Sequence, residues 1–290
     1  MLAWSARLKR NIVVATLLLL PVLTGCSGGI AEFQIYDQAF DAQFAKGEAV
    51  LDRVARAERI VVLRREARKP ALQEFDPNNA AAYLGTGDPP ITAAMRASLK
   101  SVQSYNKALT GLANGESARS LSARAGKVTS NLLSASGALA VASGGSSAFA
   151  AAGAGLVGGL LPVFERVAAA ANRAAFRRDL LKAYPDMRKL LQRMRDGTSE
   201  MFELIRRSYV QRGLLGASGG VPTADLPKLR QERQLLAGWV VLLDRTLVAM
   251  DSAAEASLRG ASSADIAVLA ETSSELRILA ETIRAAETAQ

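Results

Sequence analysis

Two features of this chain have residue types and spacings that could do chemistry. One is a single cysteine, Cys26; the other is carboxylates four residues apart, Asp37 with Asp41 and Glu48 with Asp52. A thiolate is a nucleophile and a metal ligand. Carboxylates one helical turn apart can hold a cation or share a proton. What is missing narrows the choice further. The chain has no histidine, which removes Ser-His-Asp and Cys-His catalysis, histidine-ligated zinc, and the Glu-x-x-His di-iron sites of helical bundles. No glycine-rich stretch is followed by the Gly-Lys-Ser/Thr of a phosphate loop. Gly153-Ala154-Gly155-Leu156-Val157-Gly158 fits G-x-G-x-x-G, but no strand precedes it, so the match is one of chance. No Ser-x-x-Lys stands in a context that argues for a Ser-Lys hydrolase. The carboxylate pairs lie among Arg and Lys, which predicts a solvated helix face. The sequence therefore predicts no catalytic residues, no cofactor and no metal.

Cys26 closes a recognisable pattern. Arg7, Lys9 and Arg10 stand in the first ten residues without an acid, and an apolar run, 12–20, follows with Pro21 and Val22. This is a positive n-region and an h-region of signal-peptide length, short of the roughly 20 apolar residues a transmembrane span needs. Leu23-Thr24-Gly25-Cys26 then resembles the lipobox of bacterial lipoproteins. The resemblance implies that residues 1–25 are a signal peptide cut before Cys26. It implies that Cys26 carries an S-diacylglycerol thioether and an N-acyl chain such as palmitate. Several acyl chains hold a protein stably where one does not. The competing reading is a plain secretory peptide with an incidental cysteine. Ser27, where an Asp would favour the inner membrane, implies the periplasmic side of a Gram-negative outer membrane. Residues 26–29 would form a tether, with Ser27, Gly28 and Gly29 spanning on the order of 10 Å.

The remaining residues, 30–290, suffice for one large domain. With one cysteine no disulfide staples the fold. The formal charge is +9, and the leader's three cations leave +6 on the mature chain. Segment 165–212 holds twelve Arg or Lys and six acids. Such a segment is either a solvated helix face or a surface for anionic lipid, lipopolysaccharide phosphate or an acidic protein. Nucleic acid is not an expected partner, since few aromatic residues lie among these charges.

The elements that must position these residues read as helical throughout, rich in Ala, Leu, Arg and Glu, with no period-two strand. The first helix is predicted over 30–69. Phe33, Phe40, Gly47, Val54 and Val61 recur every seven residues, with Tyr36, Phe44 and Leu51 beside them. Residues 70–90, rich in Pro, Gly, Asp and Asn, form a linker, which Leu72, Phe75, Tyr83 and Leu84 could strap across the helices. A second helix starts at Ile91 or Thr92 and buries Leu99, Val102, Tyr105, Leu109 and Leu112; Asn114-Gly115 stops or kinks it. A third segment runs over 116–142, and Gly144-Gly145-Ser146-Ser147 suggests a turn. The next segment kinks or restarts at Pro162 and runs to about Lys182, and Tyr184-Pro185 marks a kink or fresh start. Residues 213–222 form a loop. The C-terminal helices fill 223–287: one with the stripe Leu236, Val240, Leu243, Leu247 and Met250 beside Trp239, and a last one behind a Ser262/Asp265 capping box. That last helix presents Ile266, Leu269, Leu276, Leu279 and Ile283.

Between Val128 and Phe164 lie 37 residues without a charge. Ala151, Gly155 and Gly159 stand four apart, as do Ser134, Ala138 and Ala142, a spacing that lets helix backbones approach. Three readings are open: a buried helical hairpin whose small residues face neighbouring helices, a hairpin that enters a bilayer, and a constitutive transmembrane segment. The second is similar, in architecture only, to the haemolysin E class of α-helical pore formers. The fold expected is all-α, an elongated bundle of about five to seven long helices with a central Ala/Gly-rich hairpin. The function expected is a non-catalytic scaffold or partner-binding module of the cell envelope, with an envelope protein as partner.

Overall fold

The apolar seams close into an all-α bundle. In the computed structural model the described residues are 30–67, 77, 80–142, 148–213, 221–259 and 262–288, and they contain no strand. The leader, Cys26, the tether, Leu72, Phe75 and the turn glycines Gly144 and Gly145 lie outside them. The helices are α1 (Ile30–Ala67), a short α2 (Ala80–Leu84), α3 (Pro90–Ala113), α4 (Ala118–Ala142), α5 (Ala148–Ala168), α6 (Arg173–Asp196), α7 (Thr198–Gly213), α8 (Leu226–Arg259) and α9 (Ser263–Thr288). A 3-10 turn, Thr223–Asp225, leads into α8.

Helix α1 is the axis, packed by α3, α7, α8 and α9. Its predicted seam is buried at Phe33, Phe40, Gly47 and Val54, with Val61 half-buried at the far end. The seam glycine has a steric reason. A Cβ at Gly47 would lie 2.5 Å from Cη2 of Trp239 and 2.7 Å from a methyl of Leu99. Helices α1, α3 and α8 therefore meet at this one point, and the fully buried Trp239 fills it.

The chain then winds outward. Helix α3 runs antiparallel to α1 and buries all five predicted residues, Leu99, Val102, Tyr105, Leu109 and Leu112. Gly115, at φ 76, turns the corner into α4. Leu121, Ala125, Val128, Leu132, Ala135, Leu139 and Ala142 alternate in steps of four and three along α4, a coiled-coil seam against α3. Helix α5 packs on α4 and α6, and α6 on α8. Helix α9 closes the other side, packing on α1 and α8 around a second, alanine-rich core of Ala39, Ala249, Ala253 and Ala280. Its capping box forms as expected: Ser262 Oγ accepts from the Asp265 N–H, and Asp265 accepts from the Ser262 N–H.

Three local expectations are corrected. Pro185 does not restart a helix; α6 runs through it. The restart is at Asn172, whose side chain accepts from the Ala175 N–H at 2.9 Å, and a proline removes one donor from an exposed turn that water can solvate. A break not expected from sequence separates α6 from α7 at the buried Gly197. In the linker, Leu84 is 74% exposed and straps nothing.

The largest correction concerns the uncharged hairpin. Helices α4 and α5 do form its arms, but one ridge of each is buried rather than every side. Val157, Leu160 and Phe164 face inward on α5, while Gly155, Gly158 and Gly159 are exposed with no atom within 4 Å of where a Cβ would stand. The small residues divide: Ala135, Ala142 and Gly153 are buried, with Leu139 of α4 3.4 Å from where a Gly153 Cβ would stand, whereas Gly155 and Gly159 face outward. No helix among the described residues is long and apolar enough to cross a membrane.

Candidate functional site

The carboxylate pairs of α1 stay partly solvated, Asp41 and Asp52 about half exposed and Asp37 and Glu48 more covered, but they are not left to water alone. Each straddles a cation delivered by α3. Lys107 Nζ lies 3.6 Å from Asp37 and 3.0 Å from Asp41, and Gln103 donates to Asp41 at 2.8 Å. Eleven residues further along α1, Glu48 and Asp52 both meet Arg96, eleven residues earlier on α3. Arg96 also binds Asp88 of the preceding loop at 2.5 Å. The matched steps in opposite directions are the register of an antiparallel helix pair.

Electrostatics follow from this packing. Burial raises the Asp37 carboxyl, and Lys107 works against the rise. Burial opposes the charge on Arg96, but Asp88 and Asp52 outweigh it and hold the guanidinium well above its ordinary range. A side-chain cation thus already occupies the space between the carboxylates of each pair. Among the described residues no cluster of three or more metal-ligating side chains occurs.

A further carboxylate, Glu58, was not singled out by sequence. Helix α3 begins at Pro89-Pro90 with no capping side chain of its own. Glu58, buried on α1, reaches across instead. Its two oxygens accept from the N–H groups of Ile91 and Thr92, each at 2.9 Å, and from the Thr92 hydroxyl at 2.8 Å. Burial raises its carboxyl, while those donors pull it back. Arg59 adds a bond to the Gly87 carbonyl at 2.8 Å. The arrangement ties the end of the linker to α1 and performs positioning rather than chemistry. No sequence signal within either helix could reveal it, because donor and acceptor are over thirty residues apart.

The basic segment 165–212 is largely consumed in the same way. Arg188 and Arg195 of α6 meet Asp251 and Asp244 of α8 at 2.9 and 2.8 Å. Arg173 and Arg177 donate to the carbonyls of Leu112 and Ser257. Arg206, then Arg207, hold the Glu203 carboxyl down at about 2. A cleft of about 500 Å³ between α5, α6 and α8 is lined by Lys189, Arg193 and Arg195 but also by Asp196 and Asp244, so its charges are mixed. Gly153 to Gly158 are helical residues of α5, without the loop a phosphate would need.

Buried polar groups were also missed. Gln43 and Asn106 are fully buried with neither amide atom hydrogen-bonded. Tyr105 donates to the Leu180 carbonyl at 3.4 Å and lies edge-on to Phe164; burial pushes its hydroxyl well up. Comparison with known proteins finds no matching family model, no matching curated protein and no matching solved structure.

Proposed function

We propose that the chain is a lipoprotein of the bacterial cell envelope, tied to a membrane through acyl chains on Cys26. On this reading the helical bundle is a non-catalytic scaffold or partner-binding module in the periplasm, at the outer membrane. The observation that carries it is Leu23-Thr24-Gly25-Cys26 directly behind a positive n-region and a short apolar run. Supporting it, the titratable groups described above are spent on joining helices. A bundle with its register set by Lys107, Arg96 and Glu58 suits a rigid spacer. Contact of segment 165–212 with anionic lipid or lipopolysaccharide is the weaker part of the proposal, because so many of its arginines are matched to carboxylates and carbonyls.

The alternative, insertion of the 128–164 hairpin into a bilayer, draws on the exposed uncharged ridge of α4 and α5. Geometry sets the two readings apart. Helix α3 runs back along α1, and α4 runs forward again, with Asn131 beside Ser104. Ala142, at the end of α4, is thus near the level of Val54, about 36 Å along α1 from Ile30. The first reading has the bundle standing on its Ile30 end, whereas the second brings the α4–α5 side to the bilayer.

Replacing Cys26 by Ala tests the anchor. The variant is expected in the soluble fraction, and a variant that stays with membranes after salt and carbonate washing would overturn the reading.

A further inference from the structure

The α4–α5 hairpin shows solvent a face that the chain itself does not explain. Its inward ridge is an ordinary seam. Its outward ridge carries Leu133, 56% exposed, and Val141, 36% exposed, beside exposed Gly137, Gly155 and Gly158. No charge occurs from Val128 to Phe164, although the outer face of a bundle helix normally carries charged residues and large uncharged patches mark interaction sites.

The glycines sharpen the point. A glycine inside a helix weakens it. At Gly47, Gly111 and Gly238 a Cβ would meet Trp239, Glu116 or Ile283 at 3.3 Å or less, so the chain's own packing calls for glycine there. At Gly126, Gly137, Gly155, Gly158 and Gly159 nothing stands within 4 Å. Whatever makes use of those bare backbones approaches from outside.

We propose that this face is an interface between two copies of the chain, the outer ridges of α4 and α5 packing on the same ridges of a second hairpin. Three arguments select a second copy. The uncharged parts of α4 and α5, 128–142 and 148–164, offer a face about 24 Å by 20 Å. Pairing it buries about 1,000 Å² in all, the least that a specific interface should clear. The mature chain is positively charged, so two copies repel least where neither carries charge. The patch is continuous on one molecule, as a two-fold interface requires, since both partners present the same surface. The interface goes beyond the lipid anchor, and the cysteine variants below are made in the Cys26→Ala chain so that its failure and the anchor's can be told apart.

The test is the oligomeric state of the full-length protein, extracted from membranes in non-ionic detergent and measured by light scattering after gel filtration at about 50 µM. The mass of two polypeptides is expected. Leu133→Arg with Gly158→Arg buries unpaired like charges at the interface and weakens association at least about tenfold, leaving the helical circular dichroism unchanged. Should that variant not fold, cysteine pairs decide. In the Cys26→Ala chain, Gly158→Cys should form a disulfide-linked dimer under mild oxidation, while Ala267→Cys, exposed on α9, should not. A single-chain mass at that concentration, a dimer that survives both arginines, or equal crosslinking at the two cysteine positions overturns the proposal. So does a Gly158→Cys thiol shielded by phosphatidylglycerol vesicles but not by a second copy, which assigns the face to a bilayer.

Discussion

The crossing of α1 with α8 and the outer ridge of the α4–α5 hairpin place the same residue in opposite surroundings. Gly47 lies under the indole of Trp239, where even one carbon more would collide. Gly158 lies in open space. Both carry the same intrinsic penalty as helix residues, so the difference is one of purpose. At the bundle centre, glycine is required by contacts inside the chain. At Gly158 it serves no contact inside the chain. The bundle is thus closely specified at its axis and left open along one outer face.

Substitutions can break or sharpen that contrast. The largest effect is expected at the crossing: Gly47→Ala should destabilise by about 3 kcal/mol, because the crowding beneath a buried tryptophan exceeds the gain in helix propensity. Urea unfolding followed by Trp fluorescence checks it, and an unchanged midpoint would remove the steric argument. Next, Arg96→Met should lower stability by about 2 kcal/mol. It leaves Glu48, Asp52 and Asp88 facing one another without their cation, and the value is held down because Asp52 is over half exposed to screening water.

Glu58→Gln should lower stability by about 1.5 kcal/mol through the weakened cap on α3. It also carries a pH signature. Burial raises the Glu58 carboxyl in the folded chain, so the unfolded chain releases this proton first. Wild-type stability relative to Glu58→Gln should therefore fall as pH rises from the ordinary carboxylate range to the raised folded value, and level off above it. A rise over that interval would contradict the assignment. The smallest effect has the opposite sign from the first: Gly155→Ala or Gly158→Ala, measured by thermal unfolding in dilute solution, should stabilise the single chain by about 0.7 kcal/mol each. A loss there would mean these backbones are already packed within the chain.

Local pattern made much of the fold legible. Seven-residue recurrence marked the α1 seam, the stripe of α3 was buried residue for residue, and Ser262 with Asp265 capped α9 as a short-range motif can. Periodicity says which face of a helix is apolar but not which neighbour covers the other faces. The pairs Asp37/Asp41 and Glu48/Asp52 therefore read as solvated until α3 brought Lys107 and Arg96 to them. Glu58 caps a helix far away in sequence, and its oxygens were invisible for the same reason. Small residues in the hairpin read as close packing because glycine permits it, but permission is not contact. Pro185 read as an interruption because a missing donor matters most where water is excluded, and Pro185 is exposed. Of the expected modification site, Cys26, only the sequence speaks.

That cysteine is where the functional account is decided most directly. Intact-mass spectrometry of the protein extracted from membranes should find a chain that begins at residue 26 and is heavier than its polypeptide by a diacylglyceryl group and one acyl chain. A chain that retains its first 25 residues, or one that begins at residue 26 with a free thiol, would contradict it.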